Sequence, residues 1–135
     1  MKICIILSTF YPEISKKLLR GAILQLKLSK IKSYKIYKVN GTFEIPVMVS
    51  ILKKDFDAFI VLGCIIKGET PHFNYLSSSV FNSILNLSTN YKIPIGNGLI
   101  TCSNKRQAIA RSDLNKINKG KEATSAVLTV LKSIS

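Results

Sequence analysis

Blocks of apolar and polar positions follow one another along the chain, and their period switches as they do. Residues 2–7, Lys2-Ile3-Cys4-Ile5-Ile6-Leu7, form an almost unbroken apolar run of strand length. Residues 13–29 change to helical spacing. Ile14, Leu18, Ala22 and Leu26 share one face, charges lie opposite, and Pro12 stands near the start. Residues 33–39 alternate as a second strand and stop at the turn pair Asn40-Gly41. A short helix is predicted over 45–52. Ala58–Ile66 is again unbroken and apolar, a third buried strand. Residues 71–90 give the longest helix, 93–100 a fourth strand, and 105–112 and Lys119–Ile134 two closing helices.

Strands alternating with helices predict an α/β fold: a parallel sheet covered on both faces. With 135 residues and no linker, repeat or low-complexity stretch, residues 1–135 read as one domain. Ligands of such sheets sit beyond the carboxyl ends of the strands. No segment reaches the roughly 18–20 unbroken apolar residues of a membrane span. The first residues resemble a short secretion signal, but no small-residue cleavage pattern follows, and Phe10-Tyr11-Pro12-Glu13 does. A first core strand is the expectation. Cys4, Cys64 and Cys102 cannot all pair within one chain, and free buried thiols in a reducing cytoplasm are expected. One histidine and scattered acids predict no metal centre.

Twenty Lys and Arg against seven Asp and Glu give a net charge of +13, which raises nucleic-acid binding as a possibility to be weighed. Eight basic residues fall between Lys16 and Lys38 with no acid among them. Those in the first helix stand between apolar positions at helical spacing, as a solvated face does. Lysine far outnumbers arginine and Ile and Asn are abundant, a composition typical of AT-rich coding. No nucleic-acid partner is expected.

The chemistry concentrates in residues 62–76, Leu-Gly-Cys-Ile-Ile-Lys-Gly-Glu-Thr-Pro-His-Phe-Asn-Tyr-Leu. A strand breaks at Lys67-Gly68, and Thr70-Pro71 opens a helix. Free N–H groups and the helix dipole favour an anion there. His72 is the only side chain whose ordinary pKa lies near neutrality, and it sits beside that place. Cys64 is close by, but a nucleophile wants a base beside it.

This run closely resembles the signature of the lumazine synthase family. Three further segments do so too, in the family's order: Asn40-Gly41-Thr42-Phe43-Glu44-Ile45-Pro46; Ile95-Gly96-Asn97-Gly98-Leu99-Ile100-Thr101 with Gln107-Ala108-Ile109-Ala110-Arg111; and Asn118-Lys119-Gly120-Lys121-Glu122-Ala123. Four ordered matches from Phe10 to Ala123 are far more specific than any one.

The resemblance implies a three-layer α/β/α, flavodoxin-like fold with a four-stranded parallel sheet in the order 2-1-3-4. It implies the penultimate step of riboflavin biosynthesis. 5-Amino-6-(D-ribitylamino)uracil and 3,4-dihydroxy-2-butanone 4-phosphate condense to 6,7-dimethyl-8-ribityllumazine, phosphate and water, with no cofactor or metal. His72 would be the proton shuttle. Phe10 would stack on the pyrimidine; Thr42, Phe43 and Glu44 would hold the ribityl chain and ring edge. Cys64, Ile65 and Ile66 would offer main-chain groups. Glu69 and Thr70, through backbone N–H groups and the Thr70 hydroxyl, with Arg111 and Lys116, would bind phosphate.

Two positions depart from the family. Asn74 replaces the usual Asp after the His-Phe pair, and Asn97 replaces an aromatic that covers the ring, a contact worth about 0.5–1.5 kcal/mol. Family sites lie between neighbours in a ring of five. By that resemblance Asn97, Arg111 and Lys116 come from the adjacent subunit. Family members often carry an N-terminal segment that adds a strand to a neighbour, and the chain here begins almost at its first core strand. Lys32, Lys35 and Lys38 are expected to guard the second strand as a sheet edge. There are three competing readings: a flavodoxin-like flavin carrier would explain neither His72 nor Arg111, the run Gly68-Glu69-Thr70-Pro71-His72 favours lumazine synthase over a related archaeal riboflavin synthase, and a basic RNA-binding module predicts steeply salt-dependent binding.

Overall fold

The computed structural model describes residues 1–135. Strands β1 (Ile3–Ser8), β2 (Tyr34–Val39), β3 (Ala58–Ile66) and β4 (Ile95–Cys102) form one sheet. Its order is β2-β1-β3-β4, and every neighbouring pair is parallel. Helices α1 (Pro12–Leu28) and α5 (Lys119–Ile134) cover one face. Helices α2 (Glu44–Leu52) and α3 (Phe73–Tyr91) cover the other, and α4 (Lys105–Arg111) follows β4. This is the expected three-layer α/β/α arrangement.

Side chains on a strand alternate between faces, so each strand feeds two cores. Ile3, Ile5, Ile60 and Leu62 pack with Ile14, Leu18, Val127 and Leu131 beneath α1 and α5. Cys4, Ile6, Phe59 and Val61 pack with Ile45, Val49, Val80 and Ile84 beneath α2 and α3. Full burial of one such aliphatic side chain contributes roughly 1.5–3 kcal/mol. All six residues of β1 and all nine of β3 are buried, which explains their unbroken apolar sequence. On the edge strand β2, Lys35 and Lys38 are exposed and the other four residues half-buried.

Two elements begin later than their pattern predicts, each because of a proline. Thr70 precedes Pro71 and is extended (φ −129°, ψ 112°), so α3 starts at Phe73 and not at 71. Pro94 has no N–H to give a ladder; its carbonyl accepts from Phe59 N–H at 3.0 Å, and β4 runs from Ile95 to Cys102. Helix α5 lies very close to its neighbours. A Cβ at Gly120 would collide with the Leu18 carbonyl of α1, and one at Gly96 with the Ala123 carbonyl of α5.

Candidate active site

The carboxyl ends of β1, β2 and β3 converge, and the segments leaving them enclose a small hollow. Thr9 N–H donates to the Val39 carbonyl at 2.9 Å, tying the end of β1 to that of β2. Phe10 then projects outward, 65% exposed, with Tyr11 edge-on to it (ring centroids 4.9 Å, planes at 77°). The 40–43 loop lies across the end of the sheet. Gly63 permits this: a Cβ there would press on the Thr42 side chain at 3.0 Å and on Ser8 at 3.1 Å. Thr42 is buried in consequence, while Phe43 is exposed at the rim.

These segments surround a cavity of about 220 Å³. Phe10, Thr42, Phe43, Cys64, Ile65 and Thr70, six of the predicted site residues, line it. Tyr11, Gly41 and Leu76 complete the lining and were not predicted. Glu44 stands just outside, where its Oε1 accepts the Gly41 N–H at 3.0 Å and fixes the loop. Ile66 is buried and belongs to the core beneath α1 and α5, so only its main chain is available at the end of β3.

Next to the cavity, Lys67–Glu69 coils as a single 3₁₀ turn. His72 occupies the N-cap of α3 and is exposed; its side chain caps no N–H. Phe73 N–H is satisfied by the Thr70 carbonyl at 3.2 Å and Leu76 N–H by that of His72 at 2.8 Å. The Asn74 and Tyr75 N–H groups between them have no main-chain acceptor. They are open anion donors at a helix N-terminus, beside the imidazole. The sequence reading named Glu69 and Thr70 for this purpose and overlooked these two.

Burial above all pushes the Cys64 thiol up to about 12; Cys102 and Glu69 add to the rise and Arg111 opposes it. Cys64 is therefore a protonated thiol at the cavity wall and no nucleophile. The Tyr11 phenol is also raised, first by burial and then by the Glu69 carboxylate.

Asn97, Arg111 and Lys116 are not part of this lining. Asn97 sits opposite Val61 in mid-sheet, five positions before the Ile66–Cys102 pair and thus roughly 16 Å back along the strands. Its Oδ1 accepts from Leu99 N–H at 3.0 Å. Arg111 leaves α4 and donates through Nη1 to the Thr101 carbonyl at 2.9 Å. Lys116 is exposed in the loop between α4 and α5, its N–H on the Asp113 carbonyl at 3.3 Å. One chain thus carries two separate groups of candidate residues. One surrounds the cavity; the other lies along β4, α4 and the loop after it.

The family model for 6,7-dimethyl-8-ribityllumazine synthase matches residues 1–135. The chain belongs to that family.

Relatives in the 6,7-dimethyl-8-ribityllumazine synthase family cover it almost end to end. The protein of that name from Nitrobacter hamburgensis is 36% identical over 135 residues, spanning 95% of this chain and 82% of the relative. That from Bartonella bacilliformis is 37% identical over 131 residues (94% and 86%). That from Buchnera aphidicola subsp. Schizaphis graminum is 40% identical over 135 residues (96% and 84%). Lumazine synthases are transferase-class enzymes of riboflavin biosynthesis. No helix of this lumazine synthase family member is long and apolar enough to cross a membrane.

Proposed function

We propose that the protein condenses 5-amino-6-(D-ribitylamino)uracil with 3,4-dihydroxy-2-butanone 4-phosphate, releasing 6,7-dimethyl-8-ribityllumazine, phosphate and water. The observation that carries this is the junction of an aromatic cavity with an uncapped helix N-terminus bearing the only imidazole. The cavity suits a flat heterocycle, and the helix end a phosphate ester.

Phe10 stacks on the pyrimidine, and the main chain at Cys64, Ile65 and Ile66 pairs with its polar edge. Thr42, Phe43 and Glu44 hold the ribityl chain; one Glu44 oxygen already accepts from Gly41, and a carboxylate keeps further acceptor capacity for hydroxyls. Glu69 and Thr70 hold the phosphate with the open N–H groups of Asn74 and Tyr75. Condensation joins the pyrimidine amine to the ketone carbonyl as an imine and expels water. His72 then takes a proton from carbon as the bond to phosphate breaks. The enol left by phosphate loss tautomerises to a new ketone; the second nitrogen attacks that carbonyl, and loss of a second water completes the ring.

Arg111, Lys116 and Asn97 serve the site of an adjacent subunit in a pentamer. Two separate apolar surfaces support head-to-tail association. Phe43, Val47, Ile51 and Leu85 are exposed around α2 and α3; Ile109, Leu114 and Ile117 are exposed on α4 and the loop after it. Unlike patches on one chain favour a closed ring over a two-fold dimer. The cytoplasm, with its reducing conditions, suits three free buried thiols. Mixing the protein with both substrates and following lumazine absorbance tests the activity. Absence of turnover at any substrate concentration overturns it.

A further inference from the structure

Arg111 stands in the last turn of α4, a helix of seven residues with one buried side chain, Ala108. A helix that short does not hold together on its own, and one alanine gives it little burial. Something besides packing has to fix its place.

Side-chain bonds to the chain just after β4 do so. Asn104 is the N-cap, and its Oδ1 accepts the Gln107 N–H at 2.9 Å. Gln107 answers across the same turn: its Oε1 accepts the Ser103 N–H at 2.8 Å. Two donors at the helix end are thus satisfied reciprocally, in the manner of a capping box. One turn further on, Arg111 Nη1 donates to the Thr101 carbonyl at 2.9 Å. Residues 107 and 111 are four apart and share a face of the helix. From that face both reach back to the main chain of residues 101–103. The glutamine therefore sets how α4 stands against the end of β4, and with it where the guanidinium lies. Arg111 is exposed, and Thr101 uses one of its donors; the others remain for a phosphate.

We propose that Gln107 is a positioning residue for phosphate binding: by clasping Ser103 it seats α4 on the end of β4 and holds Arg111 in the orientation that meets the ligand. This deepens the phosphate role of Arg111 and rests on it.

Gln107→Ala should raise KM for the butanone phosphate about fivefold, because apparent affinity falls with the share of molecules in which α4 is correctly seated. kcat and KM for the pyrimidine should hold. Asn104→Ala opens the same box from its other side and should raise that KM equally, whereas Asn104→Ser keeps a capping oxygen and should not. In an Arg111→Ala background, Gln107→Ala should add nothing, while a general loosening of the fold would add its own loss. Inorganic phosphate, titrated by calorimetry, should follow the same pattern. An unchanged KM in Gln107→Ala, where Arg111→Ala raises it, overturns the proposal and spares the phosphate role of Arg111. So does an undiminished effect of Gln107→Ala once Arg111 is gone. An unchanged KM in Arg111→Ala itself overturns that role and the positioning proposal with it. The phosphate titration needs no turnover. If the parent protein makes no lumazine, the enzymatic reading fails on that result and the titration still decides the role of Gln107.

Discussion

His72 stands exposed at the first turn of α3, and a single imidazole must serve every proton transfer assigned to it. His72→Ala should lower kcat about 10²–10⁴-fold while the elution profile is unchanged, because general acid–base groups supply that much and this side chain is exposed. An unaltered kcat would remove it from the mechanism. The buried thiols make a different prediction. Burial raises Cys4 and Cys64 from an ordinary 9.0 to about 12 in the native chain. Below pH 9 both states keep these protons and the contribution is complete. Between pH 9 and 12 the unfolded chain loses protons that the native chain retains, so stability falls as pH rises. Urea midpoints should drop from pH 8.5 to 10.5, and Cys64→Ala should flatten that slope. An equal slope in the variant would show that the thiol is not its source.

At the scale of elements, one residue joins three of them. Asn118 is 4% exposed and caps α5 by accepting from Lys121 N–H at 3.0 Å. Its Nδ2 donates to the Lys17 carbonyl of α1 at 3.0 Å and to the Ser112 carbonyl after α4 at 2.9 Å. Asn118→Ala removes the cap and both amide hydrogen bonds to the Lys17 and Ser112 carbonyls, at a cost of about 2–3 kcal/mol in chemical denaturation. A loss under about 0.5 kcal/mol would mean that water replaces the amide freely. The sequence could reveal Asn118 as a helix start, but its bond to Lys17 spans 101 residues and has no local signal. The same limit applies throughout. β1 and β3 were readable because burial on both faces leaves unbroken apolar runs, and α1 because its inner face repeats at helical spacing. Cavity residues such as Phe10, Thr42 and Ile65 were placed through motifs at strand ends, which the parallel topology brings together. Tyr11 was passed over as mere sequence after β1, since only the folded chain sets it in the cavity wall with Thr70. Pro71 and Pro94 moved two boundaries by acting on the backbone of their neighbours.

At the scale of the whole molecule, the placement of Arg111 decides how the site is completed. Its guanidinium reaches the end of β4, an edge strand, and lies outside the cavity lining of its own chain. If a neighbour supplies this group, every site needs one intact His72 and one intact Arg111 from different subunits. Arg111→Ala alone should raise KM for the butanone phosphate at least tenfold, and His72→Ala alone should abolish most turnover. Mixing equal amounts of the two unfolded variants and refolding them together separates the alternatives. In a ring with random placement, about a quarter of the interfaces pair an intact His72 with an intact Arg111 from the next chain, so about a quarter of the parent activity should return. If each chain instead used its own Arg111, every site would retain one defect and no activity above that of the separate variants would appear. A monomer by light scattering under assay conditions would defeat the shared site directly. The exposed Val47 and Ile51 on one surface and Ile109 and Ile117 on another are the apolar patches that such a ring would bury. Replacing Ile51 with Lys should therefore dissociate the assembly and remove activity together, with the monomer's helical circular dichroism intact.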